Sequence, residues 1–363
     1  MVVVPNTGFY FWNSRGEHGD VFDFVGRHIL TSGAWNNRDA GQFMETVRYL
    51  AQRAGISLDE TGQFKKSPAW VERQLIQRLH DALMNSPTAL AYPTQKRGWQ
   101  PTTIKAARLG FMPYDKRPLM ADLTLPDKWS AVINKFPSGM LVYIHLEQGR
   151  LTYLSGRSMD GKKHYNPPRD IIGERQPYYN HLYSPQAEQV VIVEGQADAV
   201  TFGEWGIPAL AIAGMHLSDE LLASIKKHRR IFVALDNTDD ARAKSREIAL
   251  KLKGETYLPA FPAEVKDANE WLQKGGSTEA ALALLNAAPS WMAVEVQHIA
   301  KLDGLVRQDA IRALFAHGVG LDEFALTEFK SLVESIGVKG RNFSELLKAS
   351  HVQTKQTSSR PYA

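Results

Sequence analysis

The 363-residue chain contains no cysteine. That absence excludes disulfides, thiol nucleophiles and every cysteine-ligated zinc site. No apolar run approaches the roughly 18 residues that a membrane-spanning helix needs. The start, Met1-Val-Val-Val-Pro5-Asn-Thr-Gly8, has neither the basic region nor the long apolar core of a secretory leader. The expectation is therefore a soluble cytoplasmic protein with no membrane partner. The phosphate-loop pattern Gly-x-x-x-x-Gly-Lys-Ser/Thr is missing, so the chain should carry no P-loop ATPase, and no repeat period stands out. Strong charge bias is missing too. Lys and Arg number 43 against 39 Asp and Glu, a net +4. Such a surplus permits nucleic-acid binding without requiring it, so the placement of the cations matters more than their number. With 44% hydrophobic residues the composition is ordinary for a globular protein, and the length implies two to four modules.

What the chain does have is two short apolar runs, each stopping at a carboxylate. They are Val190-Val-Ile-Val-Glu194-Gly195-Gln-Ala-Asp198 and Ile231-Phe-Val-Ala-Leu-Asp236-Asn-Thr-Asp239-Asp240. Continuous apolar runs of this length read as strands buried on both faces, as in a parallel sheet. Open parallel sheets bind ligands at the carboxyl ends of their strands. Glu194 and Asp236–Asp240 would thus meet in one crevice, where mutual repulsion calls for a cation and oxygen ligands suit Mg²⁺ or Mn²⁺. The competing reading is that each acid only caps the next helix.

Order and spacing decide between these readings. A strand ending in Glu-Gly-x-x-Asp, a helix, Ile207-Pro-Ala-Leu-Ala-Ile-Ala-Gly214, another helix, then a strand ending in Asp-x-x-Asp-Asp resembles the TOPRIM domain of primases and topoisomerases. Tyr257-Leu-Pro-Ala-Phe-Pro262 and Lys266-Asp267-Ala-Asn-Glu-Trp271 look like the last strand and the lysine–aspartate turn of its primase branch. The acidic motif departs from that family's Asp-x-Asp-x-Ala-Gly. Either one residue is inserted and Asp239 is the second acid, or Thr238 takes its place. The insertion is adopted because Asp239-Asp240-Ala241 then aligns with the rest of the family's motif; Asp240 remains a candidate ligand, and Arg242 replaces a glycine.

Upstream, Gly8-Phe-Tyr-Phe-Trp12-Asn-Ser-Arg15-Gly-Glu-His18-Gly19-Asp20 reads as a β-hairpin leading into a helix capped by Asp20. Phe43, Met44, Val47, Leu50, Ala51 and Ala54 then recur at helical spacing up to Gly55. This layout is similar to the second half of the zinc-binding module of DnaG-type primases, which in that family contributes to reading the template. Trp12 and Arg15 stand where a cysteine pair belongs, so no zinc is expected and Trp12 should act as an apolar plug. His18 reads as structural or exposed rather than as a ligand.

Residues 57–68 are polar and rich in turn formers, a linker, and a helix is expected next, at about Trp70–Met84. Arg97-Gly98, Thr103-Ile104 and Leu109-Gly110-Phe111-Met-Pro113 resemble the start of the primase RNA-polymerase domain. Gly139–Leu146 and Arg150–Ser155 form a hairpin pattern across Gly149. Gly156-Arg157 and Lys162-Lys163-His164-Tyr165-Asn166 then concentrate cations. In the resembled family such a segment lines a basic trough facing the acids. Arginine offers a bidentate fork for phosphate and lysine a mobile point charge.

The resemblance implies an α/β protein with α+β amino-terminal modules. Residues 1–58 form a degenerate zinc-finger-like module, 59–95 a linker and helix, and 96–186 a mixed subdomain of the RNA-polymerase core. Residues 187–275 form a TOPRIM, Rossmann-like parallel sheet flanked by helices, 276–351 a helical region, and 352–363 a disordered tail. The implied activity is that of a phage, plasmid or bacterial primase making short RNA primers on single-stranded DNA from ribonucleoside triphosphates. Its alternative is an inactive single-stranded-DNA-binding protein or helicase adaptor. The resemblance assigns catalysis to Glu194, Asp236 and Asp239, and metal binding to these with Asp240. It assigns nucleotide or DNA contacts to Arg97, Arg157, Lys162, Lys163, Tyr165, Asn166, Asp198 and Asp267. A separate replicative helicase is a possible partner, and the setting is the nucleoid or a phage-infected cell.

Overall fold

The computed structural model describes residues 1–4, 8–54, 56, 58, 67–214 and 217–358, the side chains of 351–358 excepted. The chain divides into two compact units, one of residues 1–74 with 122–126 and the other of residues 75–121 with 127–363.

In the first unit, β1 (Val2–Val4), β2 (Phe9–Trp12) and β3 (Glu17–Gly19) form an antiparallel sheet. The chain then turns into a helix at Asp20, whose carboxylate accepts hydrogen bonds from the Phe22 and Asp23 amides at 2.8 and 3.0 Å. Asp23 returns the bond to the Asp20 amide, completing a capping box. Aromatic rings staple hairpin to helix. Tyr10 meets Phe24 edge-on at 5.1 Å, Trp12 lies 5.5 Å from His28, and the Arg15 guanidinium covers the Trp12 ring at 4.1 Å. His28 Nε2 sits 2.9 Å from the Glu17 carboxylate. His18 stacks on Phe11 and stays exposed. A second helix, Ala40–Arg53, is capped by Asp39. Gly55 and most of the linker read at 57–68 lie outside the described residues.

The second unit holds two sheets. β4 (Gly110–Met112), β5 (Met140–Glu147), β6 (Arg150–Ser158) and β7 (His164–Tyr165) are antiparallel in that order. The β5–β6 hairpin closes through Gln148 and Gly149, both at positive φ, as a two-residue turn matched to strand twist requires. The other sheet contains β8 (Tyr178–Tyr179), β9 (Gln189–Val193), β10 (Ala209–Ala211), β11 (Arg230–Val233) and β12 (Glu255–Tyr257). Its order is β12-β11-β9-β10-β8, parallel except for the β8 edge. Both faces of its centre are buried. Val191, Val193 and Phe232 pack on one side; Val190, Ile192, Ile231 and Val233 pack on the other. That two-sided burial is why β9 and β11 read as unbroken apolar runs.

Carboxy-terminal helices, Trp291–Ile299, Gly304–Gly318, Glu323–Ser335 and Gly340–Ser358, gather around Trp291, Phe315 and Phe329. The last helix runs into the stretch expected to be disordered from residue 352. Beyond Gly340 its described span contains no glycine or proline to interrupt it. Among the described residues no helix is long and apolar enough to cross a membrane.

Candidate active site

The neighbouring strands β9 and β11 end on the same edge of the sheet. Glu194 follows β9 directly, and Gly195 opens the helix Gln196–Glu204. A Cβ at Gly195 would come within 3.1 Å of the Asp198 carboxylate, so the bare backbone is what lets that acid fold back. Asp236 follows β11 by three residues. Its turn is zipped to the Lys266 turn: the Asn237 amide donates to the Lys266 carbonyl at 2.6 Å, and Asn237 Nδ2 donates to the carbonyls of Pro262 and Val265. Glu194, Asp198, Asp236 and Asp267 thereby line one cleft of about 470 Å³.

These acids differ in setting. Asp198 is only 7% exposed. Burial raises its pKa well above the carboxylate range, and the charges of Asp267 and Asp236 raise it further; the Asn269 amide and Arg97 pull the other way. Asp236 is ion-paired, its Oδ2 3.0 Å from Lys266 Nζ, and that bond with its charge raises the lysine pKa. Asp267 caps the helix Ala268–Gln273, accepting from the Glu270 amide at 2.7 Å.

The opposite wall is cationic. Ser155 and Arg157, two residues apart on β6, share one strand face and line the cleft. The Arg157 Nε is buried without a hydrogen-bond partner. His164 on β7 is pushed down to about 4 by desolvation, then by Arg157 and Arg97. Arg175 also lines the cleft and donates to the Ala213 carbonyl at 3.3 Å.

A buried relay joins the two walls. His145 Nδ1 lies 3.0 and 3.1 Å from the carbonyls of Gln176 and Pro177, so this nitrogen carries the proton. Nε2 must then accept from Ser155 Oγ at 2.9 Å, and Ser155 Oγ in turn accepts from Gln196 Nε2 at 3.1 Å. Burial holds the imidazole neutral, with a pKa down to about 4. The relay ties β5 and β6 to the residue that comes directly after Glu194-Gly195.

No protein-family model matches the chain. Its sequence is 26% identical to the DNA primase of Synechococcus elongatus over 86% of this chain and 50% of that protein. It is 25% identical to the DNA primase of Salmonella typhimurium over 55% of this chain and 38% of that one. The chain thus spans half or less of the length of these curated relatives. In structure it matches the zinc-binding and RNA polymerase domains of the Aquifex aeolicus primase with a TM-score of 0.63 at 19% identity, over 94% of this chain and 88% of that chain. A DnaG catalytic core matches at 0.61 and 19% identity, over 77% of this chain and all of that one. The fold is that of the DnaG-type primase core.

Within this fold, the residues singled out in the sequence fall into three groups. Glu194, Asp198, Asp236, Asp267, Arg97, Arg157, Tyr165 and Asn166 line the cleft. Arg97 is largely engaged there: Nε and Nη2 donate to the Tyr92 hydroxyl and Nη1 to Asn269 Oδ1 at 2.8 Å. Tyr165 packs its ring on Phe136 at 4.6 Å. Lys162 and Lys163 are exposed on the β6–β7 loop, outside the lining of the cleft.

Asp239 and Asp240, expected from the sequence as metal ligands, are not among the residues that line the cleft. Thr238, not Asp239, caps the helix Asp239–Leu252, with its Oγ1 taking the Ala241 amide at 3.2 Å. Both acids therefore fall on the exposed first turn, where Asp239 is 97% exposed and pairs with Arg242 at 2.7 Å. Among the described residues no three acids or histidines are already drawn together to hold a metal.

Lys266 was read only as part of the lysine–aspartate turn, with no role of its own, and Arg175, Ser155, Gln196 and His145 were given none. Lys266 had a signal in its place beside Asp267; the relay and Arg175 had none, since their meaning arises only where distant segments meet.

Proposed function

We propose that this chain is a DNA primase that makes short RNA primers on single-stranded DNA by template-directed nucleotidyl transfer. The observation that carries the reading is the opposition, in one cleft, of carboxylates from two adjacent parallel strand ends to the arginine-bearing wall of the β5–β6 hairpin. The sheet is read as a TOPRIM domain. Its acid cluster fits a divalent cation, because four carboxylates face one cleft and burial with like charge already strains Asp198 toward its neutral form.

Glu194 and Asp236 would hold Mg²⁺ or Mn²⁺, with Asp267 deepening the negative field. Such an ion, when bound, neutralises charge on the attacking and leaving oxygens of phosphoryl transfer. The chain's own residues supply the rest. Glu194 is set to accept the proton of the attacking 3′-hydroxyl. Arg157, whose Nε lacks a partner, and Arg175 orient the triphosphate. Arg97 stiffens the cleft through Tyr92 and Asn269. Tyr165, Asn166, Lys162 and Lys163 continue the cationic side toward the template, held mainly through its phosphates. A related DnaG catalytic domain has been solved bound to single-stranded DNA. A separate replicative helicase is the proposed partner, and the proposed setting is the cytoplasm, at the nucleoid or in a phage-infected cell.

The test is primer synthesis on mixed-sequence single-stranded DNA with labelled ribonucleotides and Mg²⁺ or Mn²⁺, beside Glu194→Gln and Asp236→Asn. Short products that fall at least about 100-fold in both variants are expected. Absence of products, with salt-sensitive DNA binding unchanged in the variants, would leave a primase-derived DNA-binding protein instead.

A further inference from the structure

We propose that Lys266 is a built-in counter-ion that holds the place of the divalent cation at Asp236 and is exchanged for it; this rests on the primase reading above. Three features of the cleft lead there.

First, the ammonium stands against one of the carboxylates that the proposed ion would need. Nζ lies 3.0 Å from Asp236 Oδ2 and within the field of Asp198 and Asp267. Carboxylates gathered this closely repel each other unless a positive charge stands among them.

Second, the backbone of Lys266 is pinned while its side chain is free to leave. The Lys266 carbonyl accepts from Asn237, and its amide donates to Glu270 Oε2 at 2.7 Å. Asp267, the next residue, is fixed as a helix cap. The lysine side chain is nevertheless 61% exposed, whereas Asp236 is 17% exposed. An ion pair this open to solvent is weak, and lysine is a compact charge on a flexible stem. Such a cation can withdraw without disturbing the turn that positions Asp236.

Third, among the described residues no three acids or histidines stand close enough together to form a ligand set. Lys266 occupies Oδ2 of Asp236, one of the two oxygens that the carboxylate could offer to a shared ion. Exchange of a monovalent ammonium for a divalent ion lets the same acids close on one centre, with the ammonium offsetting their charge until the ion takes its place.

The experiment is Mn²⁺ titration of the full chain followed by electron paramagnetic resonance, with melting temperature recorded in parallel. Wild type is compared with Lys266→Met, Lys266→Arg and Asp236→Asn, and primer synthesis is measured on the same preparations. Removing one like charge from a solvent-exposed cleft should tighten Mn²⁺ binding by about 3- to 10-fold in Lys266→Met. Lys266→Arg should stay near wild type, and Asp236→Asn should bind more weakly. Without metal, Lys266→Met should melt below wild type, and Mn²⁺ should restore it by more than it shifts wild type.

Unchanged or weaker Mn²⁺ binding in Lys266→Met overturns the exchange. If wild type still makes primers in that case, the primase reading stands and only the role of Lys266 fails. If neither wild type nor Lys266→Met binds Mn²⁺, the exchange is overturned; if primers are absent as well, the primase reading fails with it. Mn²⁺ binding that appears only in Lys266→Met supports the exchange even without primer synthesis.

Discussion

Two buried groups, Asp198 in the lining of the cleft and His145 in the relay, respond to pH in opposite directions. Asp198 has a folded-state pKa raised above its unfolded value near 3.9, so the native state holds its proton more tightly. Its contribution is present at low pH and is lost as pH rises from about 4 through the raised value. Asp198→Asn keeps an oxygen for the Asn269 amide, which donates to Asp198 Oδ1 at 3.1 Å, and removes the charge. Without metal the variant should gain about 1–2 kcal/mol at pH 8 and little at pH 4, as urea melts across that range would register.

His145 shows the reverse case. Its folded pKa of about 4 lies below the unfolded value near 6.5. The unfolded chain takes up the proton first, so stability present above pH 6.5 drains away as pH falls toward 4, by up to about 3 kcal/mol. His145→Gln should flatten that acid limb while lowering stability at pH 7 by about 1–3 kcal/mol, since it loosens a buried hydrogen-bond chain. Equal acid sensitivity in wild type and variant would show that the relay is not a titrating element.

At the scale of elements, the cationic wall depends on a close approach behind it. Gly156, between Ser155 and Arg157 on β6, faces the Phe136 ring; a Cβ there would come within 2.8 Å of Cε1 and 3.0 Å of Met140 Sδ. Gly156→Ala is expected to overpack this contact and cost about 1–3 kcal/mol. Because Arg157 is the next residue, the Michaelis constant for nucleotide should rise more than the turnover number falls. Equal loss of both, or none, would separate Gly156 from the placement of Arg157.

The elements legible in the sequence were those whose partners are local or whose pattern is periodic. The two-sided burial of β9 and β11, the helix cap at Asp20 and the hairpin across Gly149 were readable for that reason. The acidic turn was not. Whether Thr238 or Asp239 begins the helix depends on a single cap competing within Asp236-Asn237-Thr238-Asp239. The pull of Asn237 toward Pro262 and Val265 comes from a segment the local pattern does not include.

For the whole molecule, the modest +4 net charge does not describe what the cleft presents to a strand. Arg157 and Arg175 line it, and Lys162 and Lys163 extend its cationic side on the adjoining loop. Binding of single-stranded DNA should therefore weaken steeply with salt, with a logarithmic slope of about −0.7 for each phosphate neutralised. Lys162→Ala with Lys163→Ala should make that slope shallower by about 1 while leaving Mn²⁺ affinity unchanged. An unaltered slope would remove the β6–β7 loop from the template path.

Sequence alone determined which stretches are buried strands, that carboxylates stand at the ends of two of them, and that the chain offers no cysteine. Each of these comes from residue type and short-range period. Only the tertiary structure decided that Asp239 and Asp240 lie on an exposed turn, that Lys266 pairs with Asp236, and that His145, Ser155 and Gln196 bind the two walls together. Those outcomes depend on which of several chemically equivalent groups reaches a given point in space, and packing of segments distant in the chain sets that.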